Sequence, residues 1–271
     1  MTEPLIREYS LTDIPALSRL WMKTFGDSEE FVNGFFRLLP DMGSCVVIEC
    51  SGEIIAEASV ITGLELADPS GISKVCGYIY ALAVDKRFRS RGFGAMLCEA
   101  AADLAQKRGA QIVCTFPASK SLYKFYNKTL GFTCALYRSS VELAASDTET
   151  VMRLSATEYA MYRESMLRGK TYLRPSFFTM SFLEFLCSSS GGGLFASLSG
   201  ICTATVENNV CVVHEIIAPD QCARHASVAS VAGFLGCSKA QYYLPSSVGE
   251  PFISAVPGSV PSDAVWNLAF E

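Results

Sequence analysis

The chain has 271 residues, of which 50% are hydrophobic and 18% are charged, and its formal net charge at pH 7 is −5. That length suits one large domain or two modest ones with well-filled cores. Residues 1–140 carry 15 basic and 15 acidic side chains, whereas residues 141–271 carry 7 basic and 12 acidic ones. This distribution argues against nucleic acid as a partner and mildly favours a cationic substrate.

Neither the N-terminus nor any apolar run predicts export or membrane insertion. Residues 1–9 lack the basic start and apolar run of a signal peptide, and no stretch approaches the roughly 20 apolar residues of a membrane span. The 11 cysteines are scattered without a Cys-x-x-Cys pair, and most lie in apolar runs, as at Cys45, Cys50, Cys114 and Cys211. We therefore expect a cytoplasmic protein with reduced core cysteines, no metal site and no membrane partner.

The first half of the chain predicts alternating strands and helices. A capping box at Ser10–Asp13 starts a helix that runs to about Phe25, and a second helix from Glu29 ends at Pro40. Ser51-Gly52 forms the turn of a predicted hairpin. Further helices are predicted at residues 92–108 and 119–128, and strands at residues 5–9, 44–50, 53–66, 78–84, 111–116 and 132–143.

The second half repeats this order in a shorter form. Residues 144–150 are small, polar and acidic, which is typical of a linker. A strand at residues 151–154 and a capping box at Ser155–Glu158 before a helix then mirror the start of the chain. A helix at residues 223–235 and strands at residues 194–198, 200–206, 210–218 and 240–244 follow. The order predicts two tandem domains, at residues 1–143 and 151–271.

The stretch from Tyr78 to Gly94 has the composition of an anion-binding turn. Tyr78–Val84 is predicted to be a buried strand, and an amphipathic helix starts near Gly92. Glycines allow the backbone to turn tightly and to approach a ligand, and a helix N-terminus attracts phosphate through its unpaired N–H groups and dipole. Four basic residues lie between the strand and the helix: Lys86, Arg87, Arg89 and Arg91.

Two motifs in the first half of the chain resemble those of the GNAT superfamily of acyl-CoA-dependent N-acyltransferases. Arg89-Ser-Arg-Gly-Phe-Gly94 fits the family pattern [RQ]-x-x-G-x-[GA], and Ala81–Asp85 looks like the strand that precedes it. Leu122–Phe132 resembles the later signature, in which a tyrosine is followed by Gly-Phe. The resemblance covers residues 4–140 and implies an α/β fold of two tandem GNAT-like domains, each a mixed central sheet flanked by helices. The second domain lacks such an anion-binding turn, because Pro219–Arg224 has no glycine.

The resemblance implies acetyl-CoA as cosubstrate and no metal. Backbone groups of the strand would pair with the pantetheine arm, and N–H groups of the turn would hold the pyrophosphate. The plain alternative is a solvated basic turn. The residues implied in cofactor binding are Leu82, Ala83, Val84, Arg89, Ser90, Arg91, Gly92, Phe93, Gly94, Ala95, Ser119 and Tyr123.

Tyr126 matches the family tyrosine that protonates the departing CoA thiolate, although it could also be a core aromatic. A thiol pKa near 8.5 and a tyrosine pKa near 10 make that transfer uphill by only about 2 kcal/mol. The sequence does not identify the general base. Glu29, Glu30 and Glu57 are candidates that could equally be surface acids, and residues 264–271 alternate like a strand that could bring the terminal carboxylate of Glu271 to the site.

The resemblance thus implies an N-acetyltransferase that moves an acetyl group from acetyl-CoA directly to a primary amine of a small molecule or peptide. The alternative is a non-catalytic acyl-CoA-binding module whose second domain recruits a partner. A Gly191-Gly-Gly193 run precedes a strand and predicts a flexible turn rather than a phosphate loop, and His214 in its apolar strand predicts a core residue. The acceptor and the oligomeric state stay open.

Overall fold

The computed structural model describes residues 3–266, which form two compact units that interleave along the chain. Unit 1 comprises residues 3–66, 73–135 and 253–261, and unit 2 comprises residues 67–72, 136–252 and 262–266. The division into domains at 1–143 and 151–271 follows sequence order alone and stays a prediction.

The strands and helices are numbered in chain order. The strands are β1 Leu5–Glu8, β2 Gly43–Cys50, β3 Glu53–Ala67, β4 Ser73–Val84, β5 Ile112–Thr115, β6 Thr133–Ala144, β7 Met152–Leu154, β8 Tyr172–Pro175, β9 Gly193–Ala196, β10 Ile201–Glu207, β11 Val210–Ile217, β12 Lys239–Ser246 and β13 Glu250–Ala255. The helices are α1 Ile14–Phe25, α2 Glu29–Met42, α3 Phe93–Lys107, α4 Lys120–Leu130, α5 Ala156–Met166, α6 Phe177–Ser189 and α7 Gln221–Phe234.

Unit 1 is built on a mixed sheet in the order β1-β2-β3-β4-β5-β13. The β4–β5 pair is parallel, with Gly77 opposite Val113, whereas β13 pairs antiparallel with β5 and places Ser254 opposite Thr115. One sheet face packs on α3 in an apolar core. Because side chains alternate between faces along a strand, Cys45, Glu57 and Ser59 point away from that core.

Within unit 2 the strands are ordered β6-β12-β11-β10-β9-β7, and β11 and β12 are parallel. Helix α7 packs on β11 and β12, and α5 and α6 pack on each other and on β10. A buried ion pair joins α5 to β11, with Arg163 Nε 2.8 Å from Glu215 Oε2, and the Tyr159 hydroxyl donates to the same oxygen at 2.9 Å. Both charges are thereby paired inside the unit, which is the condition under which buried charges are tolerated.

Several predicted elements are confirmed at their boundaries. Capping boxes form at Ser10 and Ser155, and Ser51 and Gly52 both have positive φ, as a two-residue hairpin turn requires. The prediction that α2 ends at Pro40 is wrong, because the helix runs to Met42. Proline in the last turn removes a single helical N–H bond there, and the Gly43 N–H still bonds to the Leu39 carbonyl to close the helix.

Among the strands and α-helices of the described residues, β8, α6 and β13 have no counterpart among the predictions. Among residues 3–266, no helix is long and apolar enough to cross a membrane. Within the same residues, no three histidine, cysteine or acidic side chains are grouped in a way that could hold a metal ion. The predicted core positions Cys45, Cys114, Cys211 and His214 are buried, whereas Cys50 is half-buried.

Candidate active site

The end of β4 is held by the carboxylate of Asp85. Its side chain accepts the backbone N–H of Arg87 at 2.9 Å, and its two ion-pair partners are Lys23 at 3.0 Å and Arg87 at 3.1 Å. Hydrogen bonds from Arg87, followed by the bond from Lys23, hold the pKa of Asp85 well below its ordinary value. Arg87 also pairs with Glu53. The charge of Arg87 is therefore paired with two carboxylates in the turn, while its side chain stays 56% exposed.

The N-terminus of α3 presents backbone N–H groups without a side-chain cap. Gly92 is the N-cap residue, with φ +87°. Because it is a glycine, it has no side chain that could accept a hydrogen bond from the N–H groups of the first turn. Ser90 also has a left-handed backbone, with φ +62°. The first N–H groups of a helix lack intrahelical partners, and Ser90, Arg91 and Gly92 are exposed. The turn can therefore offer several N–H groups and a positive dipole end to an anion.

Arginine side chains frame this turn on two sides. The Arg89 Nε donates to the Val84 carbonyl at 2.9 Å, so the Arg89 side chain folds back onto the end of β4. The Arg91 guanidinium lies 5.6 Å from the centre of the Phe88 ring, a cation–π distance. Both arginines thus belong to the turn that leads from β4 into α3.

Gly94 faces the space between the end of β4 and α4. A Cβ on Gly94 would lie 3.7 Å from the Phe125 ring and 4.0 Å from Val84, which are ordinary contact distances. A methyl group would therefore fit, whereas a longer charged side chain would extend among Phe125 and Val84. Phe93 and Ala95 flank Gly94 in the first turn of α3 and are half-buried.

The last third of β4 contains a backbone irregularity at Ala81. Its φ is +53°, in the left-handed region that residues with a Cβ seldom adopt. Such a residue within a strand is typical of a bulge that redirects the backbone. Parallel pairing of β4 with β5 runs from Cys76 to Tyr78, and the predicted cofactor-pairing residues Leu82, Ala83 and Val84 come directly after Ala81.

Tyr126 lies inside unit 1 rather than on its surface. It is 6% exposed, and its ring packs edge-on against Phe125 at 5.2 Å and stacks with Phe132 at 6.4 Å. Burial raises the pKa of Tyr126 above its ordinary value. Tyr123, one helical turn earlier, is half-buried. Both tyrosines thus lie on α4, and the ring of Phe125 on the same helix faces Gly94.

Ser119 caps α4, and its hydroxyl accepts from the Leu122 N–H at 3.4 Å. A second hydrogen bond of 2.9 Å joins it to the Ser121 hydroxyl. The local sequence Ser-Lys-Ser thus starts the helix in the ordinary way for a serine N-cap. The structure gives Ser119 a capping role, and its contact with the cofactor stays a prediction.

The three candidate bases within the described residues differ in burial. Glu29 and Glu30 are exposed in the first turn of α2. Glu57 is 0% exposed, so its interpretation as a surface acid is wrong; within residues 3–266 neither carboxylate oxygen has a hydrogen-bond partner. Desolvation raises the pKa of Glu57 well above its ordinary value. The fourth candidate, Glu271, lies outside the described residues.

An aromatic cluster that the motifs do not single out packs against β4. The Trp21 ring lies 4.7 Å from Phe35 and 5.8 Å from Tyr80, the residue before Ala81. The Trp21 indole N–H donates to Asp27 at 2.7 Å, in the connection between α1 and α2. In the sequence, aromatic residues recur four positions apart in both α1 and α2, and this spacing could have indicated the cluster.

The corresponding helix of unit 2 has a different N-terminus. Asp220 is the N-cap of α7, and its carboxylate accepts from the Ala223 N–H at 2.9 Å. An acidic cap places negative charge where an anion would otherwise bind. The two helices that follow parallel strands are thus capped in opposite ways: α3 by a glycine and α7 by a carboxylate.

Comparison with known proteins gives the same family for the first half of the chain. Residues 10–132 match the model of the Acetyltransferase (GNAT) family. No curated protein sequence matches the chain at a significant level.

Several solved structures share the fold at low sequence identity. A GCN5-related N-acetyltransferase from Kribbella flavida has a TM-score of 0.68 at 16% identity, over 93% of this chain and 70% of that one. A GCN5-related N-acetyltransferase from Anabaena variabilis ATCC 29413 has a TM-score of 0.66 at 13% identity, over 93% and 72%. Eis1 from Mycobacterium abscessus has a TM-score of 0.61 at 12% identity, over 93% and 73%. At these identities the likeness shows the fold, and it extends through both halves of this chain.

Proposed function

We propose that this chain, whose residues 10–132 form a domain of the GNAT acetyltransferase family, transfers an acetyl group from acetyl-CoA to a primary amine. The observation that carries the proposal is the uncapped N-terminus of α3 at Gly92, placed beside the redirected end of β4. A helix end of this kind suits the pyrophosphate of CoA. The acceptor is a small molecule or a peptide.

The cosubstrate is proposed to lie along the end of β4 and across the turn. The pantetheine arm pairs with the backbone of residues 82–84 like an added strand, and the pyrophosphate binds the N–H groups of residues 89–95. The redirected backbone at Ala81 supports this placement, because a bulge frees strand groups that regular pairing would use. Glycine at 92 keeps the turn open where the anion approaches.

Catalysis is proposed to be direct attack of the neutral amine on the thioester carbonyl, with positioning as the main contribution. Backbone N–H groups of β4 polarise that carbonyl. Tyr126 gives its proton to the departing thiolate, a role supported by its place on α4 next to Phe125, whose ring faces Gly94. The C–N bond forms as the C–S bond breaks, the sulfur takes the phenol proton to form its S–H bond, and the nitrogen releases one proton to a base or to water, from which the phenolate is reprotonated. A buried tyrosine with a raised pKa is protonated at neutral pH, as an acid must be.

The acceptor is proposed to be cationic in its resting form. Three exposed acidic residues, Asp27, Glu29 and Glu30, lie where α1 leads into α2. Through the bond of Trp21 to Asp27 and its contact with Tyr80, this connection is tied to β4. A lysine-like amine is only about 0.04% neutral at pH 7, so acidic groups that attract it would still require a base to take its proton. Glu29 and Glu30 stay candidates for that base.

One cofactor site per chain is proposed, in unit 1. The glycine cap of α3 and the carboxylate cap of α7 support this asymmetry. The second unit would then serve substrate selection and not acetyl-CoA binding.

A thiol-release assay tests the function. The purified chain is incubated with acetyl-CoA and a panel of polyamines, aminoglycosides, amino acids and lysine peptides, and free CoA is measured against a no-amine control. The proposal expects at least one amine to stimulate CoA release and to gain an acetyl group by mass spectrometry. Calorimetric binding of acetyl-CoA with no release for any amine would contradict it and identify a binding module instead.

A further inference from the structure

Strand β4 continues beyond the point where its pairing with β5 ends. The last pair of that ladder joins Tyr78 to Cys114, whereas β4 extends to Val84. The remaining part, residues 79–84, is the terminal segment of β4. It contains the left-handed Ala81 and the residues proposed to pair with the pantetheine arm. The contacts that hold the terminal segment therefore decide where its backbone groups point.

Two hydrogen bonds hold the terminal segment at its two ends. At the start, the Thr115 hydroxyl donates to the Ile79 carbonyl at 2.9 Å. At the far end, the Asp85 N–H donates to the Ile55 carbonyl of β3 at 2.8 Å. The left-handed Ala81 lies between these two points. The first bond comes from a side chain, at a position where a longer ladder would use the backbone groups of both strands.

Thr115 is well placed to supply this bond. It is the last residue of β5 and is 3% exposed, and its backbone pairs with Ser254 of β13. A carbonyl can only accept, so the single hydroxyl proton of Thr115 points to Ile79. Ile79 is itself 2% exposed, so bulk water would not replace a lost donor. The hydroxyl is thus carried by a backbone that β13 fixes, and it reaches a buried acceptor on β4.

We propose that Thr115 is a positioning residue for acetyl-CoA, because its hydroxyl fixes the direction in which β4 leaves β5 and so aims the backbone of residues 82–84 at the pantetheine arm. The inference rests on the proposed function, which places the arm there. A left-handed residue with a Cβ persists only when its surroundings hold it, and the Thr115 bond lies two residues before Ala81. Thr115 does not touch the cosubstrate in this scheme and acts through the Ile79 carbonyl.

Loss of the hydroxyl would change the strand and not only the side chain. A buried carbonyl without a donor is costly, so the Ile79 peptide would turn toward another donor. Because Ala81 follows two residues later, that turn would redirect the rest of the terminal segment. The helix turn at residues 89–95 is held by its own contacts, among them those of Asp85, and would keep its arrangement. The effect should therefore be confined to the part of the cosubstrate that lies along the strand.

The test measures the dissociation constant of acetyl-CoA by titration calorimetry in variants of Thr115. Thr115→Val keeps the shape of the side chain and removes the hydroxyl, Thr115→Ser keeps the hydroxyl, and Thr115→Cys substitutes a weaker S–H donor. We expect the dissociation constant to rise about tenfold in Thr115→Val, to stay within about threefold of the parent in Thr115→Ser, and to lie between the two in Thr115→Cys. Thr203→Val is the matched control and should bind as the parent does, because Thr203 is a buried threonine of unit 2 whose hydroxyl also bonds to a backbone group.

A second ligand separates positioning from general support of the fold. The nucleotide end of CoA, 3′-phospho-ADP, lacks the pantetheine arm, and under the proposed function it contacts only the turn of residues 89–95. We expect its dissociation constant to stay within about twofold of the parent in every Thr115 variant. Equal weakening of both ligands in Thr115→Val or Thr115→Cys would show that the hydroxyl only supports the fold. That result, or unchanged acetyl-CoA binding, would overturn the proposal.

A spectroscopic measurement keeps the inference distinct from the proposed function. Isoleucine is labelled at its carbonyl carbon, and the NMR signal of Ile79 is assigned by its absence in Ile79→Val. We expect that signal to move in Thr115→Val and in Thr115→Cys, and to stay near its parent position in Thr115→Ser. An unmoved signal overturns the positioning by Thr115 whatever the ligands do. A parent chain that binds no acetyl-CoA contradicts the proposed function itself, and this inference with it.

Discussion

At Glu57, a carboxyl group lies in the interior of unit 1, and within residues 3–266 no side chain or backbone group hydrogen-bonds either oxygen. An isolated ionised carboxylate is costly in an apolar interior, so such a group takes up a proton instead. Burial raises the pKa of Glu57 above its ordinary value of 4.5. Glu57 is therefore a neutral acid at pH values where surface carboxylates are charged.

This burial predicts a stability that falls with pH. Between pH 4.5 and the raised pKa of Glu57, the folded protein binds more protons than the unfolded chain, so the free energy of unfolding decreases as pH rises. Relative to Glu57→Gln, the parent should lose up to about 1.4 kcal/mol per pH unit in that window. Urea unfolding at pH 5, 7 and 8.5 measures it, with Glu29→Gln as the exposed control. A difference that is constant with pH would contradict the assignment.

The proposed role of Tyr126 as the acid leads to a second prediction for a single residue. Tyr126→Phe removes the proton that the thiolate would take but retains the ring packed against Phe125 and Phe132. We expect kcat to fall about 100-fold, within the range of general acid catalysis, with little change in KM for acetyl-CoA. Tyr162→Phe, at an exposed position on α5, is the control. Full turnover in Tyr126→Phe would remove Tyr126 from the mechanism.

Among the elements, the strand–turn–helix from β4 to α3 is positioned by a single acidic residue. Asp85 joins the strand end to the turn through the Arg87 N–H and to α1 through Lys23. The glycine and arginine pattern of residues 89–94 predicts the helix start, and α3 begins at Phe93 as expected. The role of Asp85 was not predictable, because Lys23 lies 62 positions away.

Asp85→Asn should therefore destabilise this element. The substitution keeps the size of the side chain but removes the charge that two cations share, and hydrogen bonds to charged groups contribute about 1.5–3 kcal/mol. Since the folded pKa of Asp85 is lowered, this contribution is present above pH 3.8 and is lost as pH falls through the folded pKa. Urea unfolding at pH 7 should show a loss of about 1–3 kcal/mol. Asp103→Asn on the exposed side of α3 should not, and equal losses would contradict the role of Asp85.

Across the whole molecule, the sequence predicted local strands and helices better than it predicted which distant strands pair. Alternation and capping located most strands and helices, because each signal lies within a few residues. They did not reveal that β13 pairs with β5 of unit 1, since a contact between residues 115 and 254 depends on tertiary packing. The burial of Glu57 has the same origin: alternation tells which face it occupies but not what covers that face.

The repeated strand–helix–strand order of the second half appears in the structure, with parallel pairs β4–β5 and β11–β12 each connected through a helix. The proposal of one cofactor site depends on the ends of those helices. Gly92 leaves the first open, and Asp220 closes the second with its own carboxylate. The sequence shows that Gly92 and Asp220 differ, but only the structure shows that each is the N-cap residue of its helix.

Titration calorimetry of acetyl-CoA against the parent chain and two Gly94 variants is the decisive test of acetyl-CoA binding at the turn of residues 89–94. We expect one binding site per chain, an affinity within a few-fold for Gly94→Ala, whose methyl group meets Phe125 at 3.7 Å, and loss of measurable binding for Gly94→Asp. The aspartate would place bulk and negative charge between Val84 and Phe125, beside the proposed pyrophosphate position. Two sites per chain, or an unchanged affinity for Gly94→Asp, would show that this turn is not the single acetyl-CoA site.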